Sequence, residues 1–230
     1  LVLPEYTSYS VANPGRDLVE HAEPLDGPFV RRVAAAAARH ELWIVVGIVE
    51  AIPGASRVHN TLIYVDPSGT LAGCYRKVHL YDAFGYRESE WVLAGELGAA
   101  DTFVVDGLRV GAQTCYDLRF PETSRRLVDA GADVVLVPAQ WAAGPLKEDH
   151  WTTLLRARAI ENTVFVVGAD QAGPIGAGAS MIVDPMGVTL AALGERDGLI
   201  TADLDRHRLD DVRAKNPSLA ARRYRVVEDR

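Results

Sequence analysis

Cysteine is scarce in this chain: Cys74 and Cys115 are the only two in 230 residues. Two thiols make no disulfide framework, and without a Cys-x-x-Cys pair they build no thiolate metal site. No His-x-x-x-His pair or His/Cys cluster suggests a metal either, so neither metal nor cofactor is expected. Positive charge is not in excess. The formal net charge is −7, which leaves no electrostatic footprint for nucleic acid. Long apolar runs are missing as well. Val134–Ala139 and Val164–Ala169 are far too short to span a bilayer, and no basic-then-apolar leader opens the chain. These absences point to a cytoplasmic protein whose partners are small molecules or other proteins.

What is present is ordinary globular composition, 48% hydrophobic and 24% charged. The length suits one large domain over residues 1–230, and no low-complexity linker divides it. The opening Leu1-Val2-Leu3-Pro4-Glu5 reads as the end of a buried strand whose beginning is missing. A helix fits Pro28–Glu41, with Pro at its first position. Leu42–Ala51 reads as a strand buried on both faces. Asn60–Val65 and Leu71–Lys77 flank Asp66-Pro67-Ser68-Gly69 as a hairpin. Val78 to Ala100 has no clean period, and long irregular segments are often functional.

A second hairpin, Phe103–Val105 with Leu108–Thr114, then opens an alternation. Helix Pro121–Ala130, strand Val134–Pro138, helix Leu146–Asn162 and strand Val164–Gly168 follow. Strands at Ala179–Asp184 and Val188–Leu193 close it. That alternation means an α/β fold with helices covering a sheet. The long helix carries Trp151, Leu154, Leu155, Arg158 and Asn162 on one face, with Ala157 and Ile160 on the other. Two apolar sides predict packing between layers or at a subunit contact.

Cys115 carries the strongest chemical signal. It sits at a strand tip, with a Pro-initiated helix shortly after, a layout resembling the nucleophile elbow of hydrolases. A lone cysteine is more often a small buried hydrophobe, and Cys74, inside a strand, fits that reading. A nucleophilic Cys needs a base or a cation nearby. None of the six histidines is singled out as that partner, although His79 or His150 could serve a Cys–His protease. Glu5 and Lys77 are better placed, each at the end of a strand.

Taken together these segments resemble the nitrilase superfamily of carbon–nitrogen hydrolases. Leu3-Pro4-Glu5 is similar to the family's glutamate motif, and Arg76-Lys77-Val78-His79-Leu80 to its lysine motif. Thr114-Cys115-Tyr116-Asp117-Leu118-Arg119-Phe120-Pro121-Glu122 is similar to its cysteine motif. Glu88-Ser89 with Leu93 and Gly95, the helix stretch Leu155–Asn162 and Ser180–Pro185 with Gly187 extend the likeness over nearly the whole chain.

The resemblance implies a four-layer α-β-β-α sandwich, usually paired through helices into a homodimer. It also implies a strand and a helix ahead of the glutamate motif, which this chain does not include. The implied chemistry is amide hydrolysis through a thioester, with Cys115 as nucleophile, Glu5 as general base and Lys77 as oxyanion stabiliser. Glu88 pairs with Lys77 or orients the substrate.

The form of the cysteine motif looks most like the branch containing ω-amidase and deaminated-glutathione amidase, which act on short amides bearing a carboxylate. Tyr116, Arg119 and Trp141 are then the substrate-binding candidates. Arg119 either clamps that carboxylate or pairs structurally with Asp117 or Glu122. A nitrilase or an N-carbamoyl hydrolase would use the same residues. A catalytically silent binding member is the alternative from another class, and faster iodoacetamide labelling of Cys115 than of Cys74 is expected to distinguish it.

Overall fold

The computed structural model describes residues 1–228. Strands β1 (Ile44–Ala51), β2 (Val58–Val65) and β3 (Leu71–Arg76) form one antiparallel sheet in that order. Leu1–Pro4 lies parallel along the free edge of β1: Val45 N–H donates to Leu1 O at 2.9 Å and Gly47 N–H to Pro4 O at 3.1 Å. The opening residues therefore do run as an extended, sheet-paired segment.

The second sheet holds six strands in the order β11-β10-β9-β8-β7-β6. These are β6 (Thr102–Val105), β7 (Leu108–Ala112), β8 (Val134–Ala139), β9 (Phe165–Asp170), β10 (Met181–Val183) and β11 (Thr189–Ala192). The pairs β7·β8 and β8·β9 are parallel, so a helix must cross over between each. Those crossovers are α3 (Pro121–Asp129) and α4 (Lys147–Asn162). Two short elements lie between β3 and β6, the ribbon of β4 (Asp82–Ala83) and β5 (Tyr86–Arg87), followed by a 3-10 turn at Glu88–Glu90. The segment without a clean period thus holds a small hairpin of its own.

Three apolar clusters set the layers. Val45, Leu62 and Tyr64 of the first sheet meet Val110, Leu136 and Phe165 of the second between the sheets. Helix α2 (Pro28–His40), which follows the short α1 (Asp17–His21), packs Val30, Val33 and Ala37 on Ile44, Ile48 and Ile63. Helices α3 and α4 pack Leu127, Trp151, Leu155 and Ala159 on Val135, Val137 and Val166. The result is the four-layer α-β-β-α order.

Helix α4 buries Trp151, Leu155, Arg158, Ala159 and Asn162, while Ile160 is 45% exposed and lies over Gly187. Its second apolar side, Ala157 and Ile160, is therefore only partly covered within this chain. Helix α5 (Arg206–Lys215) was not anticipated. It is charge-rich, with Leu209 and Val212 as its buried residues, and Leu209 plugs the space between the sheets. Asp205 caps it by accepting from His207 N–H at 2.8 Å.

Candidate active site

Glu5 comes to the site because the edge segment runs tightly over β1. Gly47 makes room for it: a Cβ there would stand 2.6 Å from both Glu5 Cα and Tyr6 N. Lys77 follows β3 directly, and its N–H donates to Asn60 O at 2.9 Å, continuing the ladder for one more residue. Cys115 follows β7 after two residues and opens a 3-10 turn, Cys115–Arg119. Its φ is +44°, a left-handed conformation that L-residues adopt only under constraint.

The constraint is visible. Asp117 accepts from Thr114 N–H (2.9 Å), Tyr75 OH (2.8 Å) and His79 N–H (3.1 Å), pinning the turn to β3 and the loop after it. Arg158 of α4 holds the far end, donating to Leu118 O at 2.7 Å. The strand–turn–helix elbow is thus present, with its strand ending at Ala112 rather than Thr114.

Glu5, Lys77 and Cys115 meet at the base of a cavity of about 190 Å³. Lys77 Nζ lies 2.9 Å from Glu5 Oε1 and 2.9 Å from Glu88 Oε2. Asn60 Nδ2 bridges the two carboxylates, at 2.6 Å from Glu5 Oε1 and 3.0 Å from Glu88 Oε1. The remaining carboxylate valences are filled by the N–H of Gln140 on Glu5 (2.7 Å), and by Tyr6 OH (2.7 Å) and Tyr81 N–H (2.6 Å) on Glu88. Glu88 therefore pairs with Lys77, one of the two arrangements expected of it. Glu5, Lys77 and Glu88 are each at most 2% exposed, so the cluster is dry and its charges are strong.

Burial opposes the Lys77 charge, but the carboxylates of Glu5 and Glu88 outweigh it and hold the ammonium well above its ordinary range. Burial also opposes ionisation of Glu88, yet Lys77 and the Tyr6 hydroxyl bring its carboxyl below the usual value. Cys115 goes the other way. Burial first, then the Glu5 carboxylate, push its thiol well above the ordinary range, with Lys77 only partly offsetting them. Cys74 is raised too, by burial.

Arg119 pairs with neither Asp117, whose oxygens are taken, nor Glu122. Its guanidinium lies 4.6 Å over the Trp141 ring and flanks Phe84 and Tyr116, with Nη1 3.4 Å from His150 Nδ1. Tyr116, Arg119 and Trp141 all line the same cavity as the buried cluster. His79 bonds Asp117 and stacks on Phe120, and His150 sits beside Arg119, so neither forms a Cys–His pair. Among the described residues no group of three or more His, Cys, Asp or Glu could hold a metal, and no helix is long and apolar enough to cross a membrane.

Several residues here escaped the sequence reading. Asn60 is one, though an Asn inside an apolar strand is itself a signal. Tyr6, Tyr81, Phe84 and Lys147 also line the cavity. Asp170 accepts from Trp141 N–H at 2.7 Å and fixes the wall, and burial raises its carboxyl well above the ordinary range.

The arrangement suits acyl transfer: a thiol, a carboxylate to take its proton, and a buried ammonium for a developing oxyanion. Comparison with known proteins agrees. A deaminated glutathione amidase of Escherichia coli O157:H7 is 42% identical over 207 residues, covering 90% of this chain and 78% of that protein. A 2-oxoglutaramate amidase of Bacillus subtilis is 37% identical over 224 residues, covering 94% and 82%. The crystal structure of a Saccharomyces cerevisiae member of branch 10 of the nitrilase superfamily superimposes with a TM-score of 0.83 at 28% identity, covering 97% of this chain and 82% of that one. The family model for carbon-nitrogen hydrolase matches residues 1–214, and the chain belongs to that family of enzymes, which act on carbon–nitrogen bonds other than peptide bonds.

Proposed function

We propose that this enzyme hydrolyses short aliphatic amides bearing a carboxylate, through a thioester on Cys115. The observation that carries the reading is a single buried ammonium, Lys77, held 2.9 Å from two carboxylates in a cavity that Cys115 also lines. As Cys115 Sγ attacks the amide carbon, its proton passes to Glu5. Lys77 and the Tyr116 N–H hold the tetrahedral oxyanion, each such donor contributing about 3 kcal/mol. Glu5 then gives the proton to the departing nitrogen as the C–N bond breaks. It next takes a proton from water as the water oxygen attacks the acyl carbon; the C–S bond then breaks, the acid is released, and Glu5 returns the proton to Cys115 Sγ. Glu88 does not touch the reacting atoms in this scheme; it keeps Lys77 in place.

Arg119 pairs with the substrate carboxylate. Its bed of Trp141, Tyr116 and Phe84 leaves the guanidinium oriented and without a protein carboxylate among the described residues. Tyr116 and Trp141 wall the acyl chain. The amidase names of the two relatives support this substrate class. Residues 1–230 act as one domain, as a cytoplasmic homodimer paired through helices, on the pattern of the family resemblance.

The test is product release from a panel of amides, nitriles and carbamoyl compounds, with Cys115→Ala as control and mass spectrometry for the acyl-enzyme. Turnover of a carboxylated amide with an acyl adduct on Cys115 supports the reading. Preference for nitriles or carbamoyl compounds would replace it with one of those chemistries, and no turnover of any member would favour a silent binding role.

A further inference from the structure

Two carboxylates share one buried ammonium, so the proton released by Cys115 has two resting places. Lys77 Nζ stands 2.9 Å from Glu5 Oε1 and 2.9 Å from Glu88 Oε2, with a longer contact of 3.2 Å to Glu88 Oε1. It can therefore give a proton to one carboxylate while accepting one from the other. Asn60 Nδ2 also bonds both. These shared donors barely tell the two apart. Glu5 accepts in addition the N–H of Gln140, and Glu88 that of Tyr81, so the backbone donors match one for one. Glu88 alone accepts the hydroxyl of Tyr6, at 2.7 Å. Apart from the reacting Cys115 thiol, which faces Glu5, Tyr6 is the side chain among the described residues that bonds one carboxylate of the pair and not the other.

The placement of Tyr6 is imposed on it. Its φ is +56°, in the left-handed region that a bulky residue adopts only where its surroundings dictate it. Its ring is buried among Leu18, Val49, Val58 and Val92, which sends the hydroxyl to a carboxylate 82 positions away. Burial and the carboxylates of Glu88 and Glu5 hold the phenol well above its ordinary range, so it remains a donor. A hydrogen bond to an ionised acceptor favours the charged form by about ten- to a hundredfold.

We infer that Tyr6 is a positioning residue that acts through Glu88: its hydroxyl keeps Glu88 the anion of the pair, so that the thiol proton stays on Glu5, where the departing nitrogen collects it. The inference rests on the amidase reading above. In the acylation step the S–H bond breaks, the proton goes to Glu5, and the C–S bond forms. The C–N bond then breaks as Glu5 hands that proton to nitrogen. Were the proton to cross, Glu5 would give it to Lys77 while Lys77 gave one to Glu88. Glu5 would then be an anion with nothing to donate, and the amine could not leave.

Parent, Tyr6→Phe, Glu88→Gln and the double variant are compared by the rate of acyl-enzyme formation on Cys115 between about pH 4 and pH 8. The probe is succinamate, or butyramide if the acyl carboxylate proves unnecessary. Tyr6→Phe keeps the buried ring and removes the donor, so Glu88 takes up a proton at higher pH. Its rate is expected to fall about tenfold at neutral pH, and its acid limb to move up by about one to two pH units. In Glu88→Gln only Glu5 can hold the proton, so adding Tyr6→Phe should change the rate less than about threefold. Lys77, Glu5, Tyr86, Cys115 and Asp170 also face the cluster and are the same in all four proteins. Melting temperature reads Glu88 without turnover. The parent loses its contribution as pH falls through the depressed value, and in Tyr6→Phe that loss should begin at higher pH. Equal falls in rate in both backgrounds with the acid limb unmoved would leave Tyr6 a merely structural role and overturn the inference, as would a Tyr6→Phe enzyme as fast as its parent. In an active parent those results remove this inference alone. A parent that forms no acyl-enzyme from either amide removes the amidase reading and this inference with it.

Discussion

Replacing Lys77 by Met removes one charge and keeps most of the stem's volume, and the consequences can be worked from the cluster. Glu5 and Glu88 are left buried, both still held by Asn60, with their nearest oxygens no more than roughly 6 Å apart. At an effective dielectric of about 20 two such charges repel by about 3 kcal/mol. Breaking a buried pair by deleting one partner typically costs about 3–5 kcal/mol. For a chain of this size that lowers the melting temperature by roughly 6–20 °C.

The pH dependence carries the sharper signature. In the parent, Glu88 is held below its ordinary value. Its contribution to stability is present above the ordinary carboxylate range and is lost as pH falls through the depressed value. In Lys77→Met the pair has no counter-charge and takes up a shared proton. Stability is then greatest in acid and is lost as pH rises through the new, raised value. Melting temperatures measured between about pH 4 and pH 8 should diverge, the variant falling further behind the parent as pH increases. Parallel curves separated by less than ~1 kcal/mol would refute the claim that Lys77 is the charge holding this cluster together.

Three further outcomes follow from the same geometry. Gly47→Ala places a Cβ against the backbone of Glu5 and Tyr6, which cannot yield as a flexible side chain would, so kcat should fall about a hundredfold. Full turnover in that variant would show that Glu5 has latitude. Asp170→Asn should gain stability relative to the parent as pH rises. The raised Asp170 carboxyl contributes below its ordinary range and loses that contribution as pH climbs through its folded value, a loss the amide does not suffer; denaturant midpoints at acid and neutral pH measure this. Glu88→Gln should lower kcat and weaken the acid limb of the stability curve while leaving acyl-enzyme formation on Cys115 detectable, because Glu88 supports Lys77 and touches no reacting atom.

How much of this was legible without coordinates depends on the kind of signal. Strands β1, β8 and β9 announced themselves as short β-branched runs, α3 by its initiating Pro121 and α4 by its helical spacing. Cys115, Glu5 and Lys77 were found through their motifs, because each follows a strand and the order of motifs is specific. The pairing of Glu88 with Lys77 was half visible, since a loop carboxylate reads as solvated until the β4–β5 ribbon folds it inward. Asn60 and Tyr6 hold the carboxylates through contacts spanning 28 to 82 positions, which no local pattern encodes. Lys147 looked like an ordinary first-turn residue of a helix. Helix α5 was missed because Leu209, Val212 and Ala214 among ten charge-rich residues give almost no amphipathic period, and its burial comes from a gap between sheets that only the assembled sandwich creates.

The buried trio has one more consequence, which concerns salt. In the proposed scheme the thiol proton moves to Glu5 while a negative charge appears on the substrate oxygen beside Lys77. One anion is neutralised as another forms, and the sum over the dry cluster does not change during the chemical step. Nothing is exchanged with bulk ions, so kcat should be nearly independent of ionic strength. Arg119 acts differently in that scheme: it attracts an anion out of solution, and at 1 M salt the screening length shrinks to about 3 Å. KM should climb with salt where kcat does not, and a single titration with sodium chloride would separate the chemistry of the buried trio from recognition by Arg119.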